Sequence, residues 1–222
     1  MSVKIFTPDV SKLNHLITVE KLAWGTPGKN ILASTEKIKN RVLSYSTGVT
    51  LAMISGKAAG SQYCFRFDWD DDLNALESWD DATCSGNTDQ IHNPEGNTGL
   101  LVGVGVVPHF RGKKFNHNLT KYWSGQYKIS ELLIAHTLHK LFDDGVGKVI
   151  ANARVPWYHK KPSLSIEDYC QLKQEDGRLF DPVLRFHLRM GAQIIKPVEF
   201  SMEDEQSLNA GCWVVYKNKF FG

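Results

Sequence analysis

The sequence has little net charge and no long apolar run. Its 222 residues include 26 Lys and Arg against 24 Asp and Glu, a formal net charge of +2. Duplex nucleic acids need a concentrated basic face, and here both signs are mixed along the chain. The apolar runs end well short of the roughly 20 residues of a membrane-spanning helix, and no signal peptide is visible. We therefore expect a cytoplasmic protein whose partners are neither nucleic acid nor membrane.

Cysteine is also scarce. The chain has four, scattered without a disulfide-like or metal-like spacing: Cys64, Cys84, Cys170 and Cys212. This usage favours a reduced protein. His136 and His139 have a spacing that could bind a metal, but no third ligand is spaced to join them, so we expect no metal site. With 42% hydrophobic residues, the length suits a single domain spanning residues 1–222.

The most informative segment is LLVGVGVVPHFRGKK, residues 100–114. It begins as a strand in which Leu101, Gly103 and Gly105 share one predicted face, and its glycines would let a ligand approach the backbone. The basic turn that follows supplies cations and amides where the strand stops. This combination suits a thin, extended ligand that ends in phosphates. Taken alone, the basic turn would more readily be a solvated turn, but the helix that follows and the motif downstream favour the ligand site.

The remaining patterns predict an α/β fold in which helices flank a mixed, mostly antiparallel sheet. Helices are expected over residues 11–24, 34–45, 129–142 and 182–190. Strands are expected over residues 49–54, 62–67, 100–107, 148–154, 192–198 and 212–216. Gly56 and Gly60 should bound the loop between the first two strands, and GTPGKN, residues 25–30, should end the first helix. The acidic stretch 68–97 is expected to be a solvated insertion before the fourth strand.

Two segments resemble the GNAT acyltransferase superfamily. VVPHFRGKK, residues 106–114, resembles its fourth strand and pyrophosphate loop, and DPVLRFHLRMGA, residues 181–192, resembles its late helix. Three further segments resemble one GNAT branch, found beside nitrilase-like domains and as loading domains of polyketide synthases. They are SWDDATCSG at 78–86, NPEG at 93–96 and RVPWYHK at 154–160.

The resemblance implies an enzyme that transfers a small acyl group, acetyl being expected, from acyl-CoA to an amine or to the phosphopantetheine thiol of an acyl carrier protein. One alternative is a polyketide loading domain that decarboxylates malonyl-CoA and passes acetyl to the carrier protein. The other is a non-catalytic fold that only binds acyl-CoA. Loading domains of this kind use a histidine with a threonine; here no threonine lies within residues 100–107, and Thr98 and Thr137 are only nearby candidates.

The resemblance also places the CoA site. The edge of the fourth strand would pair with the pantetheine arm, which assigns Val104, Val106 and Val107 to CoA. The family's two later glycines are missing after Gly112, so we infer an insertion over about residues 115–123 that splits the phosphate cradle. The residues predicted on its two sides are Arg111, Gly112 and Lys113, then Gly125 and Ser130.

The catalytic residues are less well specified. No glutamate lies in residues 99–111, where many GNAT enzymes place their base. His159 is therefore the candidate base, because histidine titrates near neutral pH; the alternative is an exposed loop residue. His187 stands where many relatives carry a tyrosine acid, and it could instead be a packed helix residue. Trp24 could line the acyl pocket or belong to the core, and Arg185 could bind a substrate carboxylate or lie on the surface.

Overall fold

The computed structural model describes residues 3–25, 32–118 and 124–218. Nine strands lie in this part of the chain: β1 Val3–Phe6, β2 Val49–Ile54, β3 Lys57–Phe67, β4 Thr98–Val106, β5 Lys114–Asn118, β6 Ser124–Lys128, β7 Lys148–Arg154, β8 Gln193–Val198 and β9 Gly211–Lys217. Seven of them form one sheet in the order β1-β2-β3-β4-β7-β9-β8. Only β4 and β7 are parallel, and every other neighbouring pair in the sheet is antiparallel. The predicted fold class is confirmed.

Helices cover both faces of this sheet. They are α1 Leu13–Trp24, α2 Thr35–Ser44, α3 Trp79–Ala82, α4 Ile129–Asp143, α5 Ile166–Gln171 and α6 Pro182–Arg189. Local sequence explains two of the starts, because the side chains of Ser34 and Asp181 accept hydrogen bonds from the first-turn amides of α2 and α6. A Cβ on Gly105 would meet α1, whereas one on Gly60 would meet α4. The two helices therefore lie on opposite faces.

The structure corrects the predicted loop between β2 and β3. The turn is tight, at Ser55 and Gly56, where both φ angles are positive. Gly60 lies within β3 and pairs with Val106 of β4, where a Cβ would come within 2.8 Å of the Gly105 carbonyl oxygen. The sequence patterns also missed β1, the β5–β6 pair and α5. Of the predicted GTPGKN break, residues 26–30 lie outside the described residues.

The acidic stretch 68–97 precedes β4, as predicted, but it is not the solvated segment that was expected. Its acidic side chains face outward while Trp69, Leu76 and other members are buried. Arg41 of α2, itself 7% exposed, donates hydrogen bonds to the Gly86 carbonyl oxygen from Nε (3.3 Å) and Nη2 (2.8 Å). The stretch is thus part of the packed structure, and it extends from the start of β4 to α2.

The predicted insertion after Gly112 is a β-hairpin. Strands β5 and β6 pair antiparallel, from Lys114 opposite Lys128 to Asn118 opposite Ser124, and form their own two-stranded sheet. Residues 119–123, which complete the predicted insertion, lie outside the described residues. The hairpin brings the chain back beside Gly112 at the start of α4.

A bulge in β4 and a gap beside it shape the functional site. Tyr63 of β3 pairs with Gly103 and Cys64 pairs with Leu101, so Val102 is an extra residue on β4. Beyond the extra residue Gly105 faces α1, whereas Leu101 packs with α4 residues, which corrects the prediction that Leu101 and Gly105 share a face. The β4–β7 pairing ends at Leu101 opposite Ala151, although both strands continue. A gap therefore opens between β4 and β7.

Candidate functional site

A cleft of about 320 Å³ lies at the end of β4, on the side of the sheet that carries α4. Three elements meet there: the turn after β4, the start of α4 and one side of α6. The lining residues are Val106, Phe110, Arg111, Gly112, Lys128, Ile129, Ser130, Pro182, Arg185, Phe186 and Arg189. The two predicted motifs thus meet at one site, although they are far apart in the sequence.

The cleft is strongly cationic. Arg111, Lys128, Arg185 and Arg189 all line it. Glu131 offsets one of these charges, since one of its oxygens accepts a hydrogen bond from Arg189 Nη2. An excess of fixed positive charge in a partly enclosed cleft attracts polyanions. Arginine also binds phosphate oxygens in a bidentate manner.

The start of α4 adds backbone donors to these cations. The other oxygen of Glu131 accepts from the Lys128 N–H at 2.7 Å and fixes the first turn. Lys128, Ile129 and Ser130 line the cleft at this helix end. The first amides of a helix have no partner within the helix, and they lie at the positive end of its dipole. This end of the cleft is therefore suited to a phosphate.

The outer edge of β4 leads from the cleft into the gap. The Val107 N–H donates to the Ala59 carbonyl oxygen of β3 at 3.0 Å, so the alternation of the strand turns the backbone groups of Val104 and Val106 toward the gap. Arg111 Nε donates to the Val106 carbonyl oxygen at 2.9 Å. Between the two ends of this edge, Val104 presents its amide and carbonyl to an incoming extended ligand.

These observations sort the residues predicted to bind CoA. Arg111, Gly112, Ser130 and Val106 line the cleft, and Val104 faces the gap. Val107 does not share this edge, because its N–H is bonded within the sheet. Lys113 and Gly125 lie outside the cleft lining: the exposed Lys113 has its Nζ 3.4 Å from His109 Nε2, and Gly125 pairs with His117 within the hairpin.

Arg111 also forms hydrogen bonds with the backbone of two elements beside the cleft. Its Nη2 donates to the Ala23 carbonyl oxygen at 2.8 Å, near the end of α1. With its Nε bonded to Val106, the guanidinium joins α1 to the end of β4. The opposite wall of the cleft is formed by Arg185 of α6, whose Nη1 lies 3.4 Å from the Leu179 carbonyl oxygen.

His159 lies on an exposed 3₁₀ turn, Tyr158–Lys160, that follows β7. Because β4 and β7 are parallel, this turn follows the same end of the sheet as the turn that carries Arg111. Its Nδ1 is 2.9 Å from the Gln206 carbonyl oxygen. That contact favours the tautomer with a proton on Nδ1, which leaves Nε2 as an acceptor. His159 does not line the cleft.

His187 is buried in the core rather than in the cleft. Its Nδ1 is 2.6 Å from the Tyr216 hydroxyl, and the residue is 8% exposed. Burial lowers the pKa of its imidazole to about 4. The side chain is therefore neutral near pH 7, so the structure favours the packed helix residue over the predicted acid.

The burial of His187 predicts a pH-dependent stability. Its imidazole has a pKa of about 4 in the folded protein and about 6.5 in an unfolded chain. The unfolded state binds more protons between these values, so this contribution is complete above about pH 6.5 and lost as the pH falls toward about 4. From about pH 8 to about pH 5, we expect the free energy of unfolding to fall by about 2 kcal/mol through this residue.

Urea denaturation at a series of pH values measures this effect. The variant His187→Gln should reduce the slope without abolishing it, because burial also lowers the pKa of His136 to about 4. His139→Gln is the matched control, since His139 is exposed on α4 and pairs with Asp143. An unchanged slope in His187→Gln would contradict the prediction.

The remaining predicted residues, Trp24, Thr98 and Thr137, lie on three different elements. Trp24 lies on the α1 face, where a Cβ on Gly105 would be 3.0 Å from its indole nitrogen. It packs against the core and also lies beside β4. Thr98 is at the far end of β4, and Thr137 is buried on α4, where its hydroxyl bonds to Gln62 at 2.5 Å. Neither threonine lies at the gap.

Sequence reasoning missed two parts of the site. Lys128 and Arg189 complete the cationic lining, and only their proximity to the predicted motifs could have indicated them. Trp79 is the larger omission: its indole Nε1 donates to the Val102 carbonyl oxygen at 3.1 Å, at the bulge. Trp79 was not predicted to belong to the site because it lies in residues 68–97, which were expected to be solvated.

In the three described ranges, no helix is both apolar enough and long enough to span a membrane. Within the same ranges, no group of three or more His, Cys, Asp or Glu side chains is arranged to hold a metal ion.

No family model matches the chain. It is 28% identical over 212 residues to the uncharacterized N-acetyltransferase YkwB of Bacillus subtilis (strain 168), covering 94% of this chain and 86% of that protein. The loading GNATL domain of CurA from Lyngbya majuscula is similar in structure, with a TM-score of 0.78, 23% identity and 98% of each chain covered. The GphF GNAT-like decarboxylase in complex with isobutyryl-CoA has a TM-score of 0.73 and 24% identity, covering 96% of this chain and 98% of that one.

The chain therefore has the GNAT fold, as the two motifs predicted. The curated relative is named an N-acetyltransferase, and the two structures are named a loading domain and a decarboxylase. All three similarities extend over nearly the whole chain.

Proposed function

We propose that this chain is an acyl-CoA-dependent acyltransferase that moves a small acyl group from CoA to an amine or to a carrier-protein thiol. The observation that carries the proposal is the cationic cleft, which opens directly onto the unpaired edge of β4. A ligand with phosphates at one end and an amide-containing arm at the other matches both parts, and CoA has this form. The isobutyryl-CoA bound to GphF supports the choice of ligand.

In the proposed complex, the phosphates lie among Arg111, Arg185 and the first amides of α4. The arm runs along β4 past Val106 and pairs with the backbone of Val104, as a peptide adds to a sheet edge. The thioester then lies near Gly103, where the position of a Cβ is open space. The acceptor attacks the thioester carbonyl, its proton passes to a base, and the CoA thiolate leaves. His159 is the candidate base, because its turn and the cleft lie at the same end of the sheet.

A second candidate function is that of a loading domain, which transfers the acyl group to a carrier-protein thiol after decarboxylating malonyl-CoA. The similarity to the CurA domain and to GphF favours it. The positions of Thr98 and Thr137 do not, because Thr98 pairs with Lys148 within the β4–β7 ladder and Thr137 is buried on α4 against Gln62. A thiol acceptor needs little help from a base, so S-transfer alone remains compatible with this site.

Intact-mass measurement tests the proposal. The protein is incubated with acetyl-CoA or malonyl-CoA, together with either a phosphopantetheinylated carrier protein or a mixture of small amines. A gain of one acetyl group on an amine or on the carrier protein supports acyl transfer and identifies the acceptor class. Acetyl transfer from malonyl-CoA with loss of CO₂ identifies the loading function. Tight CoA binding without any product would support a non-catalytic binding protein instead.

A further inference from the structure

Trp79 links the two strands that border the gap. Its indole Nε1 donates to the Val102 carbonyl oxygen of β4 at 3.1 Å, and its backbone N–H donates to the Ser201 carbonyl oxygen at 3.0 Å. The Ser201 hydroxyl in turn donates to Asn152 Oδ1 of β7 at 2.8 Å. Asn152 is the first residue of β7 after the last one that pairs with β4. A continuous chain of hydrogen bonds therefore spans the place where the strands separate.

The position of the indole bond is informative. Val102 is the bulge residue, so it has no paired residue on β3. A buried carbonyl oxygen needs a hydrogen-bond donor, and the amides of β7 would supply one if the parallel ladder continued beyond Leu101. The Trp79 indole occupies this acceptor instead. The Val102 carbonyl oxygen is thus already bonded to a side chain at the point where the β4–β7 pairing has ended.

The other end of the same edge is held in the same way. Arg111 occupies the Val106 carbonyl oxygen, as described above. With both outer carbonyls bonded to side chains, Val104 is the residue of this edge whose backbone faces the gap between them. The side-chain amide nitrogen of Asn152 is buried without a partner in the described part of the chain, so the β7 border also carries an unused donor.

We propose that Trp79 is a positioning residue that holds the gap between β4 and β7 at the width needed by the arm of an acyl-CoA. This inference rests on the proposed function, because it assumes that the arm lies in the gap. It assigns a role to a residue that touches neither the phosphate cleft nor the candidate base. The acidic stretch is then a support for the gap, fixed to α2 through Arg41 and to β4 through Trp79.

The test compares CoA with adenosine 3′,5′-bisphosphate, a fragment that has a phosphate-bearing head but no pantetheine arm. Isothermal titration calorimetry measures both affinities for the wild type and for Trp79→Phe, which keeps an aromatic ring but loses the N–H. We expect the variant to bind CoA about tenfold more weakly and the bisphosphate with nearly unchanged affinity. A variant that merely loosened the fold would lower both affinities to the same extent.

Trp69→Phe is the matched control. Trp69 belongs to the same acidic stretch, and its indole also donates to a backbone carbonyl oxygen, that of Asp72 at 2.9 Å. It lies by the start of β4, since its backbone N–H donates to Asn97 Oδ1. This control should leave both affinities at the wild-type value. Ser201→Ala breaks the link to Asn152 alone and should weaken CoA binding selectively, by less than Trp79→Phe does.

The outcomes separate this inference from the function on which it rests. Wild-type protein that binds neither ligand would overturn the proposed function and the inference together. Wild-type protein that binds CoA, while Trp79→Phe and Ser201→Ala bind it equally well, would overturn the inference alone. Equal losses for CoA and the bisphosphate in both variants would also overturn it. A selective loss for CoA, absent from Trp69→Phe, would support it.

Discussion

Replacing His159 with alanine should lower the acyl-transfer rate by about 10² to 10⁴-fold while leaving the affinity for acyl-CoA nearly unchanged. The expectation follows from the Nδ1 contact with the Gln206 carbonyl oxygen, which orients the ring and leaves Nε2 to accept a proton. A base that acts only on the acceptor contributes to the transition state rather than to acyl-CoA binding. Steady-state kinetics and calorimetry on the same preparations give the two quantities.

Two comparisons sharpen this test. His139→Ala removes another exposed histidine, on α4, and should keep the wild-type rate. Transfer to an amine should depend more strongly on His159 than transfer to a thiol, because a thiol loses its proton more readily. If His159→Ala retains the wild-type rate with both kinds of acceptor, His159 is a loop residue and not the base.

Replacing Arg111 with alanine should weaken CoA binding by about tenfold or more, since charge-assisted contacts to phosphate are worth about 1.5 to 3 kcal/mol each. Binding of pantetheine, which has no phosphate, should be reduced much less. The substitution also removes the bonds to the Val106 and Ala23 carbonyl oxygens, so the thermal midpoint must be measured alongside both affinities.

Arg178→Ala is the control for the loss of a positive charge. Arg178 lies on an exposed loop, pairs with Asp176 and does not line the cleft. The Arg178→Ala variant should bind CoA with the same affinity as the wild type. If Arg111→Ala lost CoA and pantetheine affinity to the same degree, Arg111 would act through the structure of β4 and not through phosphate.

The sequence predicted the cleft better than it predicted the gap. Arg111, Gly112 and Ser130 were identified because a motif places them at a strand end and a helix start, which are local features. The insertion after Gly112 was inferred from missing glycines for the same reason, although its pairing as β5 and β6 was not predicted. Arg185 could be assigned to a substrate or to the surface, and only the packing of α6 against the turn after β4 places it in the cleft.

The gap depends on features that cannot be read from the periodic spacing of apolar residues in a strand or helix. An alternating run such as residues 101–106 looks the same with or without a bulge, so the change of face at Val102 was not predictable. Trp79 acts through a hydrogen bond to a carbonyl that lies 23 residues away in sequence. His187 has the same helical spacing whether it faces a ligand or Tyr216, and only the packing of β9 distinguishes the two.

The single parallel pair has a mechanical consequence for the sheet. Strands β1 to β4 form one antiparallel half and β7 to β9 form another, and the ladder that joins them consists of four residue pairs, from Thr98–Lys148 to Leu101–Ala151. The two halves of the sheet are thus joined by a short ladder. In the proposed complex, an acyl-CoA arm in the gap would contact both halves and bond to backbone groups that β4 and β7 do not use for each other. Binding of acyl-CoA would therefore also strengthen the connection between the two halves.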